Sequence, residues 1–552
     1  MPNEVRKKMN KRRFILSAIG VFSIAVALRL GPLYWSPLPF NPDGIGYASR
    51  ALTAISTDTI LLDGIATDAI GFTALLALVS TLAGSPPLYI AQPVSAVIGA
   101  ATILLGIAFA RRFGTGIDIN QNHIQHAALF AGLLLAVEGL YLYRSMPTDE
   151  QTAGLLLVPV LGFCVDRWLR TAHLEWAGLS FVIGGVLPLL HNLSGIIGAL
   201  TVTAILTIYA IKSPWPKTLL RNGLVAGIVW MWTIGYHLLI ANITTAEIVQ
   251  SERLITVPGL FIAWVVIAIL GTGWFLTTSK RYQRSLVIGI IIISFGALGI
   301  NTLRTVFVGT TQTPRGLLLV LLPLSLPLFV GALMVHHLPT NQRIGPTLIG
   351  LLSAVVALGG FSFSANLSFR YLAMAYRAQL FGHLPLLILA GTATIVIVQR
   401  ASHNSVQVGV ILLIVLAVSI SAPVMYLGLE FLTYKGITTQ AEFAATEFAT
   451  HHFEAWITDD HLQRVAGYYD GNAGIRPLYR WIRLGGPPPA CPVLAQQSWT
   501  TTGAQLFPRP PLQLSSDQFQ HWRATNNVVY VAVSEDPMTM IIPKREVPSQ
   551  SC

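Results

Sequence analysis

Apolar runs of membrane-spanning length recur through the first 430 residues, separated by short polar joints whose basic residues indicate their side. A basic head (Arg6, Lys7, Lys8, Lys11, Arg12, Arg13) precedes roughly twenty apolar residues without a small-residue cleavage site, the pattern of an uncleaved signal anchor. Arg111-Arg112, Arg167 with Arg170, Lys212 to Arg221, Lys280 to Arg284, and Arg343 then mark the inner side again. Between these pins, runs at 88–110, 126–143 and 151–167 alternate regularly, followed by two shorter helices meeting near Pro188 to Asn192. Runs at 219–240, 256–276, 285–300, 316–338, 344–361, 380–398 and 406–428 continue the alternation. The stretch 69–83 breaks it: it is short for a crossing, and a full crossing would put Arg111 outside, so it reads as juxtamembrane or half-inserted. Residues 366–377 place Arg370 and Arg377 seven apart between aromatics, as in an interfacial helix.

From Glu430 onward the chain becomes polar, with proline-rich joints at Gly486 to Pro489 and Pro508 to Pro511. A helical stretch is predicted over 439–457, and the β-branched and aromatic run 527–533 reads as a strand. The expected organisation is a basic cytoplasmic N-terminus (1–13), a transmembrane domain (14–429) with its first outer loop at about 34–87, and a small separate domain (430–552). The predicted fold class is an all-α polytopic membrane protein of about thirteen transmembrane helices, with a small C-terminal extracytoplasmic α/β domain. It would sit in the cell membrane with its N-terminus inside and its C-terminal domain outside.

Composition narrows this further. With 53% hydrophobic and 11% charged residues the chain departs from soluble proteins, whose charged fraction is roughly a quarter. The net charge of +11 is scattered in short clusters and forms no single stripe, which argues against nucleic acid as a partner. Three cysteines show no metal-ligand spacing; Cys491 and Cys552, both in the tail, either pair in an oxidising compartment or are unrelated thiols. No Walker-type loop, HExxH helix, GxSxG elbow or dinucleotide glycine motif is present.

The candidate chemistry lies in the outer loops. After the first run, prolines 32, 37, 39 and 42 hold an extended segment, Tyr34 and Trp35 are interface aromatics, and Asp43 follows, with Tyr47 four residues further on. Asp149 and Glu150 end the next outer loop, Arg144 to Glu150. Ionisable groups near membrane depth are functional candidates, the competing reading being solvated loop carboxylates. Asp58, Asp63 and Asp68 read as solvated loop or cap residues. His191 lies on the same outer side, as a structural hydrogen-bonding residue or a functional one. Arg304, Arg315, Arg370 and Arg377 are outer arginines, suited to phosphate contact or to headgroup anchoring.

The order of these features, Arg29-Leu30 followed by Asn41-Pro42-Asp43-Gly44-Ile45-Gly46-Tyr47-Ala48 and then the acidic loop Arg144 to Glu150, resembles the GT-C superfamily of polyprenyl-phosphate-sugar-dependent glycosyltransferases. That superfamily includes oligosaccharyltransferases, protein O-mannosyltransferases and aminoarabinose transferases. The resemblance covers roughly residues 14–210. It implies a catalytic base or acceptor-orienting role for Asp43 and a second acidic role for Glu150 or Asp149. It also implies lipid-phosphate contacts from Arg304, Arg315, Arg370 or Arg377, and His191 and Tyr47 are further candidates for substrate or phosphate binding on the same side. It leaves room for a divalent cation, magnesium or manganese, on Asp43, Asp149 and Glu150. The implied partners are a polyprenyl-phosphate-linked sugar, an acceptor protein, lipid or glycan, and the bilayer. The chain departs from the family patterns in lacking a Trp-Trp-Asp signature and in having a single acid, Asp43, where O-mannosyltransferases carry an adjacent pair. Alternatives are a transporter, flippase or lipid-carrier-binding protein without covalent chemistry, or an O-antigen ligase- or polymerase-like enzyme with its arginine-rich loop at 361–377.

Overall fold

Proline, glycine and buried polar residues break the apolar chain into separate helices in the computed structural model, which describes residues 3–62, 66–117, 119–244, 251–306, 312–426, 436–506, 509–534 and 536–544. Among these residues, ten helices are long and apolar enough to cross a membrane, and a bent pair, His123–Val137 with Gly139–Ser145, makes an eleventh. That is fewer than the thirteen expected; Leu174–Leu190 and Asn404–Ser419 are apolar helices of 17 and 16 residues, below the length of a straight crossing. Ile70–Ala83 is a 14-residue helix, about 21 Å long, which is too short for a bilayer core of about 30 Å. It packs between Pro42–Thr57, Pro87–Gly114 and Leu174–Leu190.

Two readings change. The segment 366–377 is not a separate interfacial helix: Phe369–Arg400 is one continuous helix of 32 residues. Nothing in 366–384 breaks the i→i−4 ladder, and Pro385 sits inside the helix without ending it. The C-terminal helix also stops earlier than expected, spanning Gln440–His452, because Trp456 and Ile457 are taken into a strand.

The bent pair turns by 69° at Glu138. This buried carboxylate accepts from the amides of Leu140 and Tyr141 at 2.9 and 2.7 Å, so it caps a new helix start in mid-bundle. Its other neighbour is His383 Nδ1 at 3.3 Å, which explains how an acid within the predicted span 126–143 is accommodated.

One end of the bundle gathers the basic joints: Arg170 donates to the Gln342 carbonyl at 2.6 Å, and Arg343 donates to Thr115 Oγ1 at 2.9 Å. The other end gathers the acidic loops and the C-terminal unit. There Ser36 donates to the Thr438 carbonyl at 2.5 Å, and the Asn41 amide donates to the Gly436 carbonyl at 2.7 Å.

The C-terminal unit contains seven strands, β1 (Trp456–Ile457), β2 (Ala473–Gly474), β3 (Val493–Gln496), β4 (Ala504–Leu506), β5 (Arg509–Leu512), β6 (Asn527–Ala532) and β7 (Met538–Ile542). β4 pairs with β5, and the other five form a mixed sheet in the order β2-β1-β3-β7-β6, with β1 parallel to both of its neighbours. Alternation along β3 and β7 gives the sheet two apolar faces. Leu494 and Met540 join the core containing Trp456 and Ala445, while Val493, Ala495 and Ile541 face Trp481, Phe519 and Trp522. Helix Gln440–His452 starts on a capping box between Thr439 and Glu442. Cys491 takes part in a disulfide, and Cys164 is a buried free thiol; Cys552 lies outside the described residues.

Candidate active site

The loop after the first span turns sharply into helix Pro42–Thr57. Asn41, at φ 89°, is the N-cap and accepts from the Asp43 amide at 3.2 Å, while Pro42 occupies the first turn, where no amide is needed. Asp43 thereby begins a helix with its side chain half-exposed, and Tyr47 follows on the same face. Gly44 is required by proximity: a Cβ there would lie 2.6 Å from Thr148 Cβ, in the second acidic loop.

The two loops are held together by Gln92, a buried polar residue in the helix Pro87–Gly114. Its Oε1 accepts from the Phe40 amide at 2.9 Å and from Thr148 Oγ1 at 3.2 Å. Its Nε2 donates to the carbonyls of Arg29 and Met146, both at 3.0 Å. The fully buried Arg29 completes this bracket by donating to Ser145 Oγ at 2.6 and 3.1 Å. Every polar arm of Gln92 therefore joins the segment before Asp43 to the segment before Asp149.

Beyond the bracket the second loop enters the helix Glu150–Thr171. Asp149 is its N-cap and accepts from the Gln151 amide at 3.0 Å. The Tyr47 hydroxyl donates to Glu150 Oε2, linking the Asp43 helix to this acidic pair. Burial, with the Glu150 charge beside it, holds the Tyr47 hydroxyl well above its usual range, so Tyr47 remains a donor.

A third acid and two histidines complete the buried cluster. Asp68 Oδ2 accepts from the Asn192 amide at 3.3 Å, so Asp68 is not the solvated loop residue expected; burial raises its carboxyl. Asp58, by contrast, is exposed at the C-cap of helix Pro42–Thr57, and Asp63 lies outside the described residues. Close packing brings His191 in: a Cβ on Gly154 would lie 1.8 Å from Ser194 Oγ, the partner of His191 Nδ1 at 2.7 Å. Burial pushes the His191 imidazole down to about 3, so it is neutral, and its Nε2 has no hydrogen-bond partner among the described residues. His237 is also buried, with Nδ1 2.9 Å from Thr67 Oγ1.

Arg377 supplies the opposing charge. Burial works to raise the Asp149 carboxyl, but Arg377, together with hydrogen bonds from Glu150 and the Gln151 amide and the nearby His191, holds it at about 2. Arg377 also favours the charged form of Asp68. Arg144 lies over the rings of Tyr143 and Tyr376, 5.0 and 5.1 Å from their centroids. Of the other arginines proposed from the sequence, Arg370 is exposed at the start of the same helix as Arg377, and its carbonyl accepts from Arg253 at 2.8 Å. Arg304 and Arg315 are exposed on peripheral helices and make no described contact with the acidic cluster.

Asp43 itself meets the C-terminal unit. Its Oδ1 pairs with an Arg464 terminal nitrogen, while Arg464 Nε bonds Asp460 Oδ2 at 3.0 Å. A cavity of about 540 Å³ opens here, lined by Asp43, Tyr47, Arg50 and Thr73 on one side and by Arg464 and Asp470 on the other.

The candidate cation ligands Asp43, Asp149 and Glu150 are not gathered into one donor set. Among the described residues, no three His, Cys, Asp or Glu side chains converge to hold a metal ion. Asp43 faces a guanidinium, Asp149 caps a helix, and Glu150 accepts from Tyr47, so these groups do not fit a shared cation. No local pattern marks Arg464, 421 residues from Asp43, as reaching it. Gln92 carried a weak signal as an amide beside Pro93 in an otherwise apolar run.

No protein-family model matches this chain, and no curated protein matches it by sequence. Comparison with solved structures shows a fold similar to that of an archaeal oligosaccharyltransferase. The individual likenesses are to an oligosaccharyltransferase from Archaeoglobus fulgidus and to ArnT from Cupriavidus metallidurans. The archaeal protein in the apo form is 14% identical at a TM-score of 0.50, with 85% of this chain and 65% of that one covered. The same figures apply to that oligosaccharyltransferase, AglB, in complex with an inhibitory peptide and a dolichol-phosphate. ArnT in the apo state is 12% identical at a TM-score of 0.37, with 96% of both chains covered. The chain thus spans about 65% of the length of the archaeal protein.

Proposed function

We propose that this chain is an integral membrane glycosyltransferase that transfers a sugar from a polyprenyl-phosphate-linked donor to an acceptor on the extracytoplasmic face, with inversion. The observation that carries this reading is the placement of Asp43: a half-exposed carboxylate on the wall of a polar cavity, backed through Tyr47 by Glu150. The archaeal oligosaccharyltransferase of similar fold, in complex with a dolichol-phosphate, supports the donor class.

In the reaction proposed, the acceptor's nucleophilic oxygen or nitrogen attacks the anomeric carbon on the face opposite the phosphate. The bond from that carbon to the phosphate oxygen breaks, its electron pair stays on the phosphate, and the acceptor proton passes to Asp43. Tyr47, Glu150 and the Gln92 bracket keep the Asp43 helix at a fixed distance from the second acidic loop. Arg377 keeps Asp149 ionised and, with Arg370 earlier on the same helix, is our candidate for stabilising the departing phosphate. Asp149 and Glu150 orient the acceptor or donor sugar, and His191, neutral at physiological pH, presents its free Nε2 to the same region. No step passes through a metal ion.

Purified protein incubated with a labelled polyprenyl-phosphate sugar and a membrane-envelope acceptor fraction tests the reading. Label transferred by the wild type and lost in Asp43→Asn is the expected result. Donor bound or translocated without cleavage would replace it with a carrier-binding or flippase function.

A further inference from the structure

The cavity at Asp43 has walls from both parts of the molecule. Pro42, Asp43, Tyr47 and Arg50 come from the helix after the first outer loop, and Arg464, Gly467 and Asp470 come from the C-terminal unit. Asp43 is 42% exposed and Arg464 31% exposed, so a ligand in the cavity can reach both members of their ion pair. Arg464 would not lose its position if Asp43 left, because Asp460, one turn earlier on the same helix, holds its Nε at 3.0 Å. Arg50, exposed on the facing wall, brings a second guanidinium to the same space.

We propose that Arg464 is an anion-binding residue of this cavity, and that a phosphate group of a substrate displaces Asp43 from it, freeing the carboxylate as that substrate arrives. This rests on the glycosyltransferase reading for the purpose of the freed carboxylate, although the anion site stands on the geometry alone. A guanidinium fork matches phosphate oxygens as well as it matches a carboxylate, so Asp43 occupies in the free protein the place that the ligand takes. Two guanidiniums in one cavity suit a group carrying up to two negative charges. The exchange prevents Asp43 from acting before the cavity is filled, and it makes the C-terminal unit part of the active site.

The competition gives a prediction that simple loss of a residue would not. Full-length protein in maltoside micelles is titrated with a short-chain polyprenyl phosphate and, separately, with inorganic phosphate. Removing the competing carboxylate in Asp43→Asn tightens binding about two- to fivefold, the range expected for releasing a partly exposed ion pair. Arg464→Ala weakens binding about tenfold or more, the double variant matches Arg464→Ala, and Arg464→Lys, which keeps the charge and the fold, lies between. This ranking with the lipid phosphate only assigns the site to the donor and moves the departing phosphate from Arg377 to Arg464; the same ranking with inorganic phosphate extends it to any phosphate-bearing substrate, the acceptor included. Asp43→Asn binding no tighter than wild type, or Arg464→Ala and Arg464→Lys both binding as wild type, overturns the proposal. Wild-type sugar transfer measured in parallel separates the two readings. Transfer without the ranking removes only the anion site, and the ranking without transfer removes only the glycosyltransferase.

Discussion

The membrane helices fall into two groups that differ in what surrounds them. Within the helix Arg370–Arg400, 83% of the apolar window is buried inside the protein, and within Asn192–Lys212 the figure is 78%. In Pro216–Ile243, Pro258–Thr277 and Lys280–Leu303 it is 11–17%. The first group carries Arg377 and follows directly from His191; Asn192–Lys212 packs on the helix that Asp149 caps, and Gln151 of that helix donates to the Arg377 carbonyl at 3.4 Å. The second presents Ile, Leu and Trp outward, as helices facing lipid do. Apolar composition is the same in both groups, so what distinguishes them is the buried polar residues that tie the first together. Chemistry is expected only where such residues converge, and substitutions should matter in proportion.

The largest effect is expected at Asp43. Asp43→Asn keeps the Asn41 cap and the helix start but removes the proton acceptor, and transfer should fall by about 10²–10⁴-fold, the usual worth of a positioned general base. Unchanged elution and helicity in the same sample would show that the fold survives. Retention of near-normal transfer would remove Asp43 from the role of base.

Gln92→Leu comes next. It leaves the Phe40 amide, the Thr148 hydroxyl and the carbonyls of Arg29 and Met146 without their partner, at about 1–3 kcal/mol for each group that stays dry. The thermal midpoint should fall, and the maximal rate should fall more than donor affinity, because the loops carrying Asp43 and Asp149 lose their spacing. Gln92→Glu should be nearly as damaging, since it can accept but cannot donate to the two carbonyls. Arg377→Ala should cost about 1–3 kcal/mol. That is less than the 3–5 kcal/mol of a fully buried pair, because Arg377 is only half-buried while Asp149 and Asp68 are left without its charge.

Much of this division was legible in the sequence, and the illegible part has a physical cause. Hydropathy runs and basic joints are local signals, and they located the ten long apolar helices, the bent pair and the short segment 69–83. The outer loops were legible because proline, glycine and acid cluster at Asn41 to Gly44 and at Pro147 to Glu150. Long-range pairing has no local signature. Asp68 reads as a loop acid until the Asn192 amide is placed against it, and nothing near Arg464 points across the chain to Asp43. The arginines could not be separated in sequence for the same reason: Arg304, Arg315, Arg370 and Arg377 look equivalent there, and only the fold brings Arg377 beside Asp149 and Asp68.

A smaller effect is expected from pH. His191 is held neutral with its pKa near 3, well below that of an unfolded histidine at about 6.5, so between those values the unfolded chain binds the extra proton. The stability that His191 contributes is therefore complete above about pH 6.5 and declines as pH falls towards 3. Asp149 does not add to this loss until lower pH, because its carboxyl, near 2, lies below its unfolded value and its contribution fades only as pH falls below about 4. The thermal midpoint should drop between pH 6.5 and 4.5 in the wild type, and the slope should flatten in His191→Asn. An equal slope in the variant would mean that another group titrates there.

The smallest effect is expected from the peripheral arginines, and it sharpens the contrast between the two groups of helices. Arg304 ends the helix Lys280–Leu303 and Arg315 begins Arg315–Leu321; both are exposed, and neither contacts an acid of the cluster in the described residues. Arg304→Ala and Arg315→Ala should each change stability by less than about 0.5 kcal/mol, as surface substitutions do, and transfer by less than about twofold. Arg370→Ala belongs between these and Arg377→Ala: it stands about 10.5 Å before Arg377 on one helix, so it can meet a lipid phosphate entering from the bilayer without touching Asp149. A rise in donor KM at constant maximal rate in Arg370→Ala, absent from the two peripheral variants, would place lipid-phosphate entry along the Arg370–Arg400 helix. A tenfold loss in Arg304→Ala or Arg315→Ala would instead show that the peripheral helices close over the site during turnover.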